Sequence, residues 1–131
     1  MGSETQSVLD SKKVLWTGRI ISGLLVLMLL ASGVMKFIQP PGFPQEFAKL
    51  GWDVKFALGL GIVEILCALL YALPRTAVFG AILLTGYFGG AIATHVRIDD
   101  SFFVPLLLGV LTWGGLFLRE PRLRAILPIR E

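Results

Sequence analysis

Between positions 20 and 35 the chain offers water only two polar side chains, Ser22 and Ser32. A helix on the surface of a soluble protein keeps a polar stripe opposite its apolar one, and this segment leaves no room for such a stripe. A bilayer's hydrocarbon core is about 30 Å thick, and a helix crosses it with roughly 20 mostly apolar residues. Four windows of that kind occur, at about residues 14–38, 54–73, 76–95 and 102–118. None of them alternates polar and apolar residues as the strands of a membrane barrel do. The composition agrees: 55% of positions are apolar and 16% charged, against roughly 45–50% and about 25% in soluble domains.

The expected fold is therefore all-α, an integral membrane four-helix bundle formed by residues 1–131 as a single domain. Lys12 and Lys13, followed by an apolar run and then Ala31, Ser32 and Gly33, also resemble a secretory signal peptide. The run is longer than a signal core and three further windows follow it, so we read it as a retained first span. The connections are short. Residues 39–53 hold three prolines and two glycines and suit a structured turn with a short interfacial segment at residues 45–50. Pro74 and Arg75 form a tight turn, and residues 96–101 join the last two windows. Short links make neighbouring helices antiparallel, an up-down-up-down arrangement.

Charge sets the expected orientation, because cytoplasmic loops carry the excess of Lys and Arg. One side would hold Lys12, Lys13, Arg19, Arg75, Arg119, Arg122, Arg124 and Arg130; the other, only Lys36, Lys49, Lys55 and Arg97. Both termini are thus expected in the cytoplasm. The net charge of +3 follows from this topology and from attraction to anionic headgroups; a nucleic-acid partner would need a basic face with aromatic platforms. Trp16, Trp52, Tyr71 and Trp113 fall near the window ends and read as interfacial anchors.

Ionisable side chains inside a span are costly and mark candidate sites. Glu64 lies about ten residues from either end of the second window, and Ala57, Gly61, Glu64 and Ala68 share one face of small residues at helical spacing. Such a face lets another helix come close, so Glu64 should point inward, protonated, hydrogen-bonded or paired. Lys36, near the end of the first window and one turn after Gly33, is the natural partner, although the two differ in depth by about 9–12 Å at 1.5 Å per residue and Lys36 could instead snorkel to the headgroups. His95, followed by Arg97, Asp99 and Asp100, closes the third window on the same side, and an imidazole there can cap a helix, hold a ligand or relay a proton. The candidate polar cluster is Lys36, Glu64, His95 and Arg97. Gly33, Gly61, Gly86 and Gly90 are the candidate helix-packing positions, the last two as a small-xxx-small pair. Cys67 is the single cysteine and His95 the single histidine, so neither a metal site nor a cysteine pair is expected, and Cys67 reads as a small buried hydrophobe. No phosphate loop, nucleophile elbow or HExxH segment is present, and no catalytic residue can be named.

The basic N-terminus, the run Gly33-Val34-Met35-Lys36-Phe37, the loop with Pro44, Glu64 in the second window and His95 closing the third together resemble the DoxX-like family, from about Leu15 to Leu118. The resemblance implies a small multi-pass protein of the bacterial inner membrane. Members are linked to thiosulfate:quinone oxidoreductase and to membrane complexes that handle thiol and oxidative stress, and related eukaryotic proteins act as receptor-assembly chaperones. Without a cysteine pair this chain departs from independent thiol exchange. Two functions follow as expectations. In the first, an accessory subunit of a redox complex binds a quinone or another apolar molecule near the external mouth, with Glu64, Lys36 and His95 around its polar head, and the bundle has an open cavity. In the second, a non-enzymatic assembly, chaperone or lipid-binding protein has a filled interior and a small-residue groove for a membrane protein partner or a second copy. Ion or solute transport is disfavoured, since four short helices without a broken repeat offer little for alternating access.

Overall fold

The computed structural model describes residues 2–126, with side chains from residue 10 onward; Arg130 lies outside the described residues. The chain folds into six α-helices and one 3-10 turn, with no strand among the described residues: α1 (Gly2–Ile38), α2 (Phe43–Lys49), the 3-10 turn Val54–Phe56, α3 (Ala57–Ala72), α4 (Ala77–Arg97), α5 (Phe103–Arg119) and α6 (Pro121–Ile126). Four apolar windows in the sequence predict four helices. The two additional helices are short: α2 sits where an interfacial segment was expected, and α6 lies beyond the fourth window.

Local chemistry sets the boundaries. After Ile38 comes Gln39 at φ 49, then two prolines and Gly42 at φ 90. Proline lacks the N–H that would continue a helix, and the left-handed turn at Gly42 opens α2 with Pro44 in its first turn. Asp53 starts the 3-10 turn by accepting the Lys55 amide at 2.9 Å. Leu73 is extended ahead of Pro74, the conformation a residue before proline favours. Glu120 is extended in the same way ahead of Pro121, which becomes the first residue of α6, where its missing N–H costs nothing.

Four helices close a ring in which α1 packs on α3 and α5, and α4 packs on the same two. Gly33 meets Ile65 while Ser22 meets Tyr71; Gly18 meets Arg119; Tyr71 meets Gly80; and Trp113 meets Thr85. Inside the ring lie Leu25, Leu29, Ala68, Tyr71, Leu84 and Phe88, together with Cys67 and Leu116. Outside it the apolar side chains are bare: Leu27 is 66% exposed and Val110 62%. That is a surface for acyl chains, because a soluble monomer does not leave so large a contiguous apolar area in water.

Residues Asp10–Ile38, Val54–Ala72 and Ala77–Arg97 are each long and apolar enough to cross a bilayer. The protein is a membrane protein in contact with lipid on those helices. The fourth apolar helix, α5, has 17 residues, about 25 Å at 1.5 Å per residue, and falls slightly short of the roughly 30 Å hydrocarbon core.

Tyr71 departs from its expected place at the interface. It is fully buried, its phenol donating to the Thr112 carbonyl at 2.6 Å and standing 3.1 Å from the Ser22 hydroxyl. Since the phenol's proton goes to that carbonyl, Ser22 is the donor in the second bond. Gly80 makes room for it: a Cβ there would collide with the Tyr71 backbone nitrogen. The helix end that looks interfacial by position is turned inward by the α4 helix packed against it.

Candidate functional site

The buried face of α3 carries Ala57, Gly61, Glu64 and Ala68. Glu64 is 2% exposed and meets the Lys36 ammonium at 2.6 Å. Lys36 also donates to the Ser32 hydroxyl, one turn back on α1, at 3.0 Å. The depth difference read from the sequence is bridged by glycine. At Gly61 an added Cβ would stand 3.1 Å from both the Gly33 carbonyl and the Lys36 Cβ, and at Gly33 it would stand 2.5 Å from Ile65. With no side chain at either position, α1 and α3 come close, and the lysine stem runs over Gly61 to reach Glu64 on the next turn. The Tyr87 phenol and the Cys67 thiol lie within electrostatic reach of the same carboxylate. A carboxylate this deep is tolerable only when paired and hydrogen-bonded.

Lys36 forms part of the wall of a cavity of about 340 Å³, partly open to the outside, whose other walls include Phe47 and Leu50 from the α2 region, Trp52, Tyr87, Gly90 and His95. Its surface is mostly apolar, and its polar groups are already oriented. The His95 ring sits 2.8 Å from the Ala91 carbonyl through Nδ1; a carbonyl only accepts, so Nδ1 carries the proton and Nε2 remains for a ligand. Trp52 donates its indole N–H to the Thr94 hydroxyl at 3.3 Å, and that hydroxyl donates to the Gly90 carbonyl at 2.9 Å. An ammonium has three donors, and the protein's own bonds use two of those of Lys36.

The structure thus joins Lys36 to Glu64 and places His95 on the cavity wall. Arg97 is set apart: its guanidinium donates to the Leu50 carbonyl at 3.1 Å and lies 5.9 Å from the Trp52 ring centroid. It packs over Gly51, whose φ of +85 and whose closeness to Arg97, 2.5 Å from an added Cβ, both favour glycine. Arg97 therefore fixes the loop that roofs the cavity and is not one of its walls. Gly86 and Gly90 also differ from expectation. Nothing lies within 4 Å of an added Cβ at either position, and both line the cavity, so their small size leaves volume where helix contact was expected. Trp52, Thr94 and Phe47 complete the site, and their only signal in the sequence is an aromatic near a proline-rich turn. Among the described residues no group of three His, Cys, Asp or Glu side chains converges as a metal site.

The molecule is thus an all-helical membrane protein with a buried Lys–Glu pair beside an apolar cavity. The model of the DoxX-like family matches residues 20–115, and the chain belongs to that family. The matched span includes Lys36, Glu64, His95 and Arg97. Neither the curated proteins nor the solved structures contain a significant match.

Proposed function

We propose that this protein spans the bacterial inner membrane four times, up-down-up-down with both termini in the cytoplasm, and binds a quinone or a similar apolar molecule with a polar head at its external end, as an accessory subunit of a membrane redox complex. The observation that supports binding is the 340 Å³ cavity, whose apolar walls surround one spare ammonium donor on Lys36, the free Nε2 of His95 and the phenol of Tyr87. A neutral carbonyl head suits this set: an oxygen accepts from Lys36, and a hydroxyl of the reduced form donates to Nε2. Small-molecule sites have this make-up, a largely apolar pocket with a few convergent polar groups. The redox-complex setting rests on the resemblance to the family.

The test uses the full chain purified in detergent, with decylubiquinone as ligand and decylbenzene as a chain-matched control. Decylubiquinone should raise the melting temperature and quench Trp52 emission. At a concentration a hundred times Kd the gain in stability is about 2.7 kcal/mol. Gly90→Leu should abolish both effects without lowering the ligand-free melting temperature, since the added side chain enters the cavity. Equal effects of the two compounds, or none from either, overturn the quinone reading. The competing reading, an assembly or chaperone protein, draws on the same unpacked strip of Gly86 and Gly90; it is favoured if Gly90→Leu instead breaks association with another membrane protein or a second copy.

A further inference from the structure

We propose that the opposite end of the molecule carries a second site, for the phosphate head of an anionic phospholipid, gripped between Arg19 and Arg119 with an acyl chain lying along α1 over Gly23. Two adjoining cavities, of about 600 and 120 Å³, share Arg19, Pro74 and Arg119 as walls. From the arginines the larger one continues along Ile20, Gly23, Leu24 and Leu27. It is cationic at one end and apolar along its length, the pattern of a phospholipid. Gly23 has nothing within 4 Å of an added Cβ, so the groove over it is open.

The two arginines differ in how they are held. Arg119 is fixed: Nη2 donates to the Tyr71 carbonyl, and the guanidinium sits 4.6 Å from the Tyr71 ring centroid. Its Nε is buried without a hydrogen-bond partner among the described residues, so the fold leaves much of its donor capacity unused. Arg19 is exposed and touches the Trp16 ring, 5.0 Å from its centroid. Among the described residues neither guanidinium has a carboxylate within salt-bridge distance. The one acid on the smaller cavity, Glu120, accepts the Arg122 amide at 3.2 Å. Guanidinium groups match phosphate oxygens in geometry as well as charge. A free phosphate would use the arginines alone, and an acidic peptide would need backbone partners that the Gly23–Leu27 stretch, with its own backbone spent in the helix, does not supply. A lipid uses both halves.

The test is native mass spectrometry of the delipidated full chain in detergent, titrated with dioleoylphosphatidylglycerol, dioleoylphosphatidylcholine and inorganic phosphate. Phosphatidylglycerol should bind at least about tenfold more tightly than phosphatidylcholine, as expected for charge-assisted bonds. Arg19→Gln should remove that preference while leaving the lipid-free melting temperature unchanged, because among the described residues the exposed Arg19 guanidinium stacks on the Trp16 ring and forms no salt bridge. Gly23→Leu should weaken phosphatidylglycerol binding by a similar factor. Equal affinity for the two lipids overturns the site, as does an Arg19→Gln variant that keeps its preference. Inorganic phosphate that competes at the lipid's own affinity and ignores Gly23→Leu shows a phosphate site without a lipid groove, and likewise overturns it.

Discussion

Lys36 and Glu64 hold each other in a place where neither could stay alone. Glu64 is almost wholly covered and the Lys36 side chain is 14% exposed, so removing one partner strands the other in low dielectric. Replacing either member of a buried pair costs about 3–5 kcal/mol, whereas exchanging both for apolar residues of similar volume is close to neutral. We expect Glu64→Gln and Lys36→Met each to destabilise by about 3 kcal/mol, the lower end of that range because Lys36 keeps some access to solvent. The Lys36→Met/Glu64→Leu double variant should recover most of the loss. Chemical or thermal unfolding in detergent, read as a double-mutant cycle, measures the coupling. Additive losses would mean that the two side chains stabilise the fold independently.

Close approach between helices is set by a few glycines and not by glycine in general. Gly18 lets α1 touch α5, with an added Cβ 2.6 Å from the Arg119 nitrogen, and Gly80 lets α4 lie on Tyr71 of α3. Gly89, on the same helix as Gly80, has nothing within 4 Å of an added Cβ. The two should therefore answer oppositely to an added side chain. Gly80→Val forces α3 and α4 apart and should lower stability by about 3 kcal/mol, as overpacking does at its upper range. Gly89→Ala should be neutral or stabilising by up to about 1 kcal/mol through helix propensity. Melting temperatures of the two variants in one detergent give the comparison, and similar losses from both would show that the close contact at Gly80 does not control the packing.

Across the whole molecule the charge is sorted by end. The end that carries Lys12, Lys13, Arg19, Arg75, Arg119, Arg122 and Arg124 has Asp10 and Glu120 as its described acids. The cavity end has Lys36, Lys49, Lys55 and Arg97 against Glu46, Asp53, Asp99 and Asp100, apart from the buried Glu64. That asymmetry underlies the proposed orientation, with the Lys36–His95 cavity outside and the proposed phosphate site at Arg19 and Arg119 inside. Single cysteines in a Cys67→Ala background check it. With intact spheroplasts and a membrane-impermeant maleimide, Asp100→Cys should label and Arg75→Cys should label only after lysis. The reverse pattern would invert the molecule and place the cavity on the cytoplasmic side.

Lipid as the surrounding medium and the main helices were legible in the amino-acid order. Mostly apolar runs of spanning length without strand alternation form helices in lipid, where each backbone amide must find its partner within the segment, and proline and glycine marked where the helices end. The amino-acid order also pointed to Glu64, because a carboxylate in such a run is conspicuous wherever the run folds. Which small residues mean contact and which mean space emerged only from the packing of the helices. Gly33 and Gly61 bring helices together while Gly86 and Gly90 open onto a cavity, and Tyr71 is drawn into the core while Arg97 is held over the Trp52 loop. A missing side chain looks the same in one dimension whether another helix fills its place or not; only the positions of the neighbours, set by packing between segments distant in sequence, tell the two apart.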